Sequence, residues 1–269
     1  MWEGILAVPR GGSHLPPAFR IIPVSQPFPA MSATDNDPVK KRRASRAAEQ
    51  EVVTYHHGDL RNALIAEGRK QVNEVGAHDL SLRNLVRSVG VSIAASSYHF
   101  EDKEGLLAAI ATDGFNELAS KRAKIASATS DPFERVYRIM ECYVRFADRE
   151  KGLFNLMVGP QILKRPHKEM FVASMASFDF FATAVTDLAT SKGWQPQELN
   201  LVVHAAWSVE HGLATLLLAQ RVPFPRRKVD IEDMVNFSLS LLLSGISAGP
   251  GQLRSTGMRL PRDEGRAQP

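Results

Sequence analysis

Between residues 59 and 118 the apolar positions fall into short helical stretches separated by only a few residues, and this punctuation restricts the fold more than any other feature of the chain. Leu60, Leu64, Gly68, Val72 and Val75 mark the apolar side of a first helix that ends at Gly76, a residue able to take the left-handed conformation after a helix terminus. Ser81 can cap a second helix, whose Leu82, Leu85, Val86 and Val89 all point to one side. That helix stops at Gly90. In the turn Gly90-Val91-Ser92 glycine frees the backbone, valine packs inward and Ser92 caps a third helix running through His99. Asp102 can cap a fourth helix, from about 103 to 125. The pattern predicts a helix-turn-helix.

The second helix of such a pair enters a DNA major groove only if its outer face carries small or hydrogen-bonding side chains that let the backbone approach. Ala94, Ala95, Ser96, Ser97 and Tyr98 meet that condition. A core helix would carry larger aliphatic residues here, and a solvated one more Lys and Glu. The same residues also fit plain surface positions on a small helical bundle. Lys103 sits where a cation could meet a phosphate.

The remainder also reads as helix, with no Val/Ile/Thr alternation and no Asn-Gly or Asp-Gly hairpin signal, so the chain is expected to be all-α. Asp131-Pro132-Phe133-Glu134 starts a helix over 132–149 with Val136, Met140, Tyr143 and Ala147 on one face. Later faces are Phe171, Met175, Phe178, Ala182 and Val185, then Leu199, Val203, Ala206, Leu213 and Leu217, then Ile231, Val235, Leu239 and Leu242. The last two helices, roughly 197–219 and 230–247, carry more apolar surface than one small domain needs to cover and are expected to form a dimer contact. No repeat with a period of 20 to 50 residues points to a solenoid. At 44% hydrophobic and 23% charged the chain has material for one large or two modest folded units, and its longest apolar runs fall short of the roughly 20 residues a membrane span needs.

A net charge of +4 is a weak pointer to an anionic partner; its placement says more. Lys40, Lys41, Arg42, Arg43 and Arg46 form a run without acids, either a basic arm beside a folded domain or a solvated tail. Proline and glycine crowd both ends, so 1–51 and 249–269 are expected to be disordered, with Met31 the true start or the leading segment an extension. The single cysteine, Cys142, can form no internal disulfide and fits a reducing cytoplasm. Dinucleotide, phosphate-loop, zinc-protease and nucleophile-elbow motifs are missing, so no enzyme, cofactor or metal site is expected.

Tyr55-His56-His57-Gly58-Asp59-Leu60-Arg61, Leu80-Ser81-Leu82-Arg83, Gly90-Val91-Ser92 and His99-Phe100-Glu101-Asp102-Lys103-Glu104-Gly105-Leu106-Leu107 together resemble the TetR-type bacterial transcriptional regulators. Asp131-Pro132, Tyr143-Val144-Arg145-Phe146-Ala147, Gly152-Leu153-Phe154 and Trp207 with His211-Gly212-Leu213-Ala214 resemble the subgroup with a Trp-His-Gly signature in its regulatory domain. The resemblance implies a DNA-binding domain over 52–102 and a regulatory and dimerisation domain over 103–248. It also implies a cytoplasmic homodimer on a palindromic operator, acting as a repressor until a small molecule binds the helical domain. Phosphate contacts would fall on Tyr98, His99 and Lys103, with more near Ser81, and base contacts on Arg83, Ser92, Ala94, Ala95 and Ser96. Ser97 stands where the family usually has a tyrosine, with Tyr98 one step on, a turn of about 100° around the helix; Ser97 could still give a shorter hydrogen bond. Arg83 is the first choice for reading sequence, because a bidentate arginine on guanine discriminates by roughly 1–3 kcal/mol.

Met140, Tyr143, Phe154, Met157, Met175 and Phe178 are either ordinary core or the wall of a pocket for an apolar effector. His204, Trp207 and His211 lie on one side of a helix, where they could orient a ligand or pack at a helix contact that Gly212 lets come close. The two histidines are some 10 Å apart along the helix, too far to share one ion. A helical interaction or receptor module without specific DNA binding is the competing reading.

Overall fold

The computed structural model describes residues 57–162, 165–219 and 230–255. Among them every regular element is helical. The helices are α1 (His57–Asp79), α2 (Leu82–Val89), α3 (Ile93–Phe100), α4 (Lys103–Ala128), α5 (Pro132–Arg149), α6 (Lys151–Val158), α7 (Lys168–Ser191), α8 (Pro196–Leu218), α9 (Ile231–Ser247) and α10 (Pro250–Ser255), with a 3₁₀ turn at Pro160–Ile162. The basic run, the leading segment and the end of the chain lie outside the described residues.

Local chemistry sets the boundaries. Ser81, Ser92, Asp102 and Asp131 each accept a hydrogen bond from the backbone N–H three residues on, satisfying donors a helix start leaves open. Gly90 closes α2 in the left-handed conformation at φ 78°, and Gly76, at φ 83°, breaks the helical path inside α1. Pro132 occupies the first turn of α5, where its missing N–H costs nothing.

One apolar core runs from Leu64 and Val72 of α1 through Leu85, Phe100, Leu106, Ile110 and Leu118 to Leu153 and Phe154 of α6. A second joins Ile139, Phe181, Val185, Val203, Ala206, Leu239 and Leu243 of α5, α7, α8 and α9. The first core therefore does not stop at the end of α3.

Several sequence-derived faces are corrected. Val75, placed on the inner side of α1, is exposed. In α7 the buried stripe is Ala173, Ser177, Phe181, Ala184, Val185 and Leu188, so Phe181 is the aromatic that faces in and Phe171 lies outside; near the start of the helix the inner positions are small, where Arg122 of α4 reaches the Ser177 carbonyl. Ile231 is exposed. By length and composition α7 and α8 are apolar enough to cross a bilayer, contrary to expectation, yet each contributes a face to the second core and α8 buries Glu198 and Glu210.

Candidate functional site

The α2–α3 pair presents its outer surface as follows. Arg83 and Arg87 are exposed one turn apart on α2. On α3, Ser92, Ala94 and Ser97 are exposed, Ala95 is half-buried and Tyr98 is 80% exposed. Ser97 Oγ donates to the Ile93 carbonyl at 3.1 Å, a local bond that turns the hydroxyl back onto its own helix. His99 is half-buried, its ring edge-on to Tyr98 with centroids 5.3 Å apart. Ser96 is corrected: at 1% exposure it faces the interior and cannot reach a base edge. Ile93, exposed at the start of α3, escaped the sequence reading, and an apolar side chain there suits a thymine methyl.

Lys103 donates one of its three ammonium N–H groups to the His78 carbonyl at 2.8 Å, which ties the start of α4 to the end of α1 and leaves two donors for other acceptors. Beside it the Asp102 carboxyl caps α4; the Gly105 N–H it accepts, with Arg165 2.8 Å away, holds its pKa below the usual range.

The larger bundle holds a buried polar cluster that sequence reasoning missed. Arg122 of α4 donates through one nitrogen to both carboxylate oxygens of Glu210 on α8, at 2.9 and 3.1 Å, and through another to the Ser177 carbonyl of α7 at 3.0 Å. Its guanidinium lies over the rings of Tyr143 and Phe181, 5.0 and 5.4 Å from their centroids. Arg122 thus bridges the two cores. Its signal was present in the sequence: Arg122 continues the inward series Ala111, Gly114, Leu118, and Glu210 interrupts the series Val203, Ala206, Leu213, Leu217. Two opposite charges on two apolar faces call for each other.

Of the residues expected to meet a ligand, the structure links Tyr143, Phe154, His211, Trp207 and Phe178 in a chain of ring contacts that meets Arg122 at Tyr143. The Tyr143 hydroxyl and His211 Nδ1 share a 2.9 Å hydrogen bond, and burial pushes the phenol pKa up and the imidazole pKa down, which keeps both neutral. Met157 packs in the same core as Tyr143, while Met140 is sealed in the other. Met175 is half-buried on α7, and His204 Nδ1 meets the Asn200 carbonyl of its own helix. Among the described residues no atom outside its own helix lies within 4 Å of where a Cβ on Gly212 would stand, so none of the described helices uses it for close approach. Two surface hollows, one at Arg135, Asp179 and Asp187 and one at Arg61, Asp113 and Asn116, are not lined by these residues. Among the described residues no group of His, Cys, Asp or Glu is placed to hold a metal ion.

Residues 64–110 match the sequence model for bacterial regulatory proteins of the tetR family, and residues 136–242 match that for the tetracyclin repressor-like C-terminal domain. The chain belongs to the TetR family. Its fold and domains are those of a DNA-binding transcriptional regulator, and they point away from an enzyme. The HTH-type transcriptional regulator BetI of Escherichia coli is 40% identical over 58 residues, which span 22% of this chain and 30% of BetI. A Rhodococcus sp. RHA1 protein of unknown function is 29% identical with a TM-score of 0.62, covering 72% of this chain and 99% of that one. A TetR variant from Acinetobacter baumannii, solved with minocycline, is 19% identical with a TM-score of 0.51 over 75% of this chain and 99% of its own, a likeness of fold. In TetR-family terms α2–α3 is the helix-turn-helix and α5 to α9 carry the C-terminal domain.

Proposed function

We propose that the protein is a cytoplasmic, ligand-responsive repressor of the Trp-His-Gly subgroup, acting as a homodimer with one α3 in each of two successive major grooves. The observation that carries this reading is the outer face of α3, where Ser92, Ala94, Ser97 and Tyr98 stand exposed on a helix fixed by the Gly90 turn and the Ser92 cap. Selection of bound sequences from random DNA tests it. The expected result is a two-fold symmetric site with half-sites about 10 base pairs apart; unselective binding would remove the operator from the account. Arg83→Ala is expected to relax sequence preference, with a loss of roughly 1–3 kcal/mol confined to the preferred site. Lys103→Ala should weaken all DNA alike and flatten the salt dependence. Equal losses on operator and random DNA for both variants would refute this division.

The dimer is supported by a face of α8 and α9 that the protomer leaves uncovered. Leu201, Ala205, Ser208 and Leu216 of α8 lie exposed, as do Phe237 and Leu241 of α9, at 69% and 64% exposure. Exposed apolar side chains of this kind on two adjacent helices suit a second copy. Phe237→Glu combined with Leu241→Glu is expected to shift the mass in sedimentation from dimer to monomer and to cut operator affinity by at least about tenfold through loss of the second half-site. A dimer that survives both changes would place the contact elsewhere.

An effector releases the operator only if it binds the DNA-incompetent arrangement more tightly. The cluster around Arg122 is the place we assign it, because α4 joins that cluster to the end of α3.

A further inference from the structure

We infer that the effector is an acid, a small molecule bearing a carboxylate on an apolar body, anchored by Arg122 and Ser177 between α4, α5, α7 and α8. This deepens the regulator reading and rests on it. Two buried donors carry the inference. Arg122 Nε–H and the Ser177 hydroxyl are both enclosed, and among the described residues neither has a hydrogen-bond partner. An enclosed donor without an acceptor is costly, and the guanidinium Nε can only donate, so the group that completes this site is an acceptor.

The arrangement around the donors selects its charge and shape. Glu210 spends both oxygens on Nη2 of Arg122, the nitrogen that shares an edge with Nε, and among the described residues the Nε–H has no acceptor. A carboxylate oxygen can accept from the Nε–H, and guanidinium–carboxylate bonds, in which donor and acceptor are both ionised, are among the strong ones. The surroundings are rings in contact with one another: Tyr143 and Phe181 lie against the guanidinium, Phe154 against Tyr143, Phe178 against Phe181 and Trp207 against Phe178. A body that inserts among these rings must be apolar and finds few other polar contacts.

A second carboxylate beside Arg122 would leave one excess negative charge in a water-poor site. Glu210 can absorb it by taking a proton. Burial pushes its pKa up to about 7, against the pull of Arg122. The groups around it add no competing charge: Tyr143 and Cys142 from α5 have pKa values raised by burial, and His211 on α8 is kept neutral. Acid binding is therefore coupled to uptake of one proton, with Glu210 passing from a partner of Arg122 to a neutral neighbour. Arg122 sits on α4, about 28 Å along that helix from Lys103 at the end of the reading head, so a change in its partners acts directly on the lever.

The test uses the full-length protein without DNA, with benzoate, phenylacetate and octanoate as probes and the corresponding amides as controls, read by thermal shift and titration calorimetry. At least one acid is expected to bind, with its amide about tenfold weaker or more. Calorimetry at pH 8 in two buffers of different ionisation enthalpy should show proton uptake, and Glu210→Gln should abolish the uptake while retaining the acid. Ser177→Ala removes a hydroxyl that supports no bond in the fold, so stability should hold while acid affinity falls severalfold. Amides that bind as tightly as acids, no binding by any of the three acids, or a Ser177→Ala variant with unchanged acid affinity would each overturn the proposal. Because these readouts need no DNA, a failure of operator binding would sink the regulator reading and leave the acid result to stand by itself.

Discussion

Glu210→Ala is expected to destabilise the fold by about 3–5 kcal/mol, a large part of the total for a domain of ordinary stability. The substitution leaves the Arg122 guanidinium, enclosed among Tyr143, Phe181 and Ser177, without a counter-charge and without the acceptor for one of its nitrogens. A drop in Tm on the order of 10 °C should follow. Thermal unfolding checks it, and a variant within about 1 kcal/mol of the wild type would show that the pair is worth little to the fold.

Glu210→Gln separates charge from shape, because glutamine keeps the volume and one acceptor. The folded-state pKa of Glu210 lies near 7, above its ordinary value of 4.5, so the fold favours the protonated acid. That contribution is complete below the ordinary value and is lost as pH rises through the folded one. Between about pH 4.5 and 7 the wild type should therefore lose stability relative to Glu210→Gln. Buried His211, held neutral, works in the opposite sense below its ordinary value of 6.5, and it is common to both proteins, so the difference isolates Glu210. Denaturant titrations at pH 5 and pH 8 measure it; parallel pH profiles would contradict the assignment.

The second large effect is expected at Gly152, in the first turn of α6. A Cβ there would stand 2.1 Å from the Val72 carbonyl oxygen and 2.7 Å from the Asn73 Cα, both backbone atoms of α1. No rotamer relieves such a clash, so α1 and α6 must part. Their separation breaks a polar lock. Asn73 accepts from the Leu153 N–H at 2.9 Å, capping a helix whose own Glu150 makes no cap, and donates to Glu150 at 2.6 Å. Arg69 grips the same Glu150 at 2.9 Å together with Glu117 at 2.6 Å. Gly152→Ala should cost ~2–4 kcal/mol and lower DNA affinity, since α1 packs against the helix-turn-helix. Asn73→Ala, which removes the cap without the clash, should cost about 1 kcal/mol. Chemical denaturation and operator titration of both variants check the order; Gly152→Ala no worse than Asn73→Ala would mean that the crossing yields.

The contrast between these two sites shows what the sequence could reveal. Helix starts were legible because a cap is a local matter: Ser81, Ser92, Asp102 and Asp131 need only their own next three residues, and each does what its type predicts. Gly90 was legible for the same reason. The inner face of α7 was not, since large aromatics such as Phe171 draw attention while the buried positions near its start are Ala173 and Ser177, the latter meeting Arg122 of α4. Ser96 misled because a small polar residue suits a groove and an interior equally well. Arg122 and Glu210 are separated by 88 residues, and a lone charge on an otherwise apolar face reads as an interruption until its counterpart is found across space. Gly152 stood out only as a family landmark; its reason, the Val72 carbonyl against it, lies in another helix.

The apolar core that continues from α1 through α4 into α6 bears on how such proteins can be recombined. A chimera that exchanged reading heads at the junction before Lys103 would cut through one continuous interior and strand Leu64, Val72 and Leu85 against foreign neighbours. Crossovers that carry α4 and α6 along with the head are the ones that should yield hybrids with a transplanted target preference.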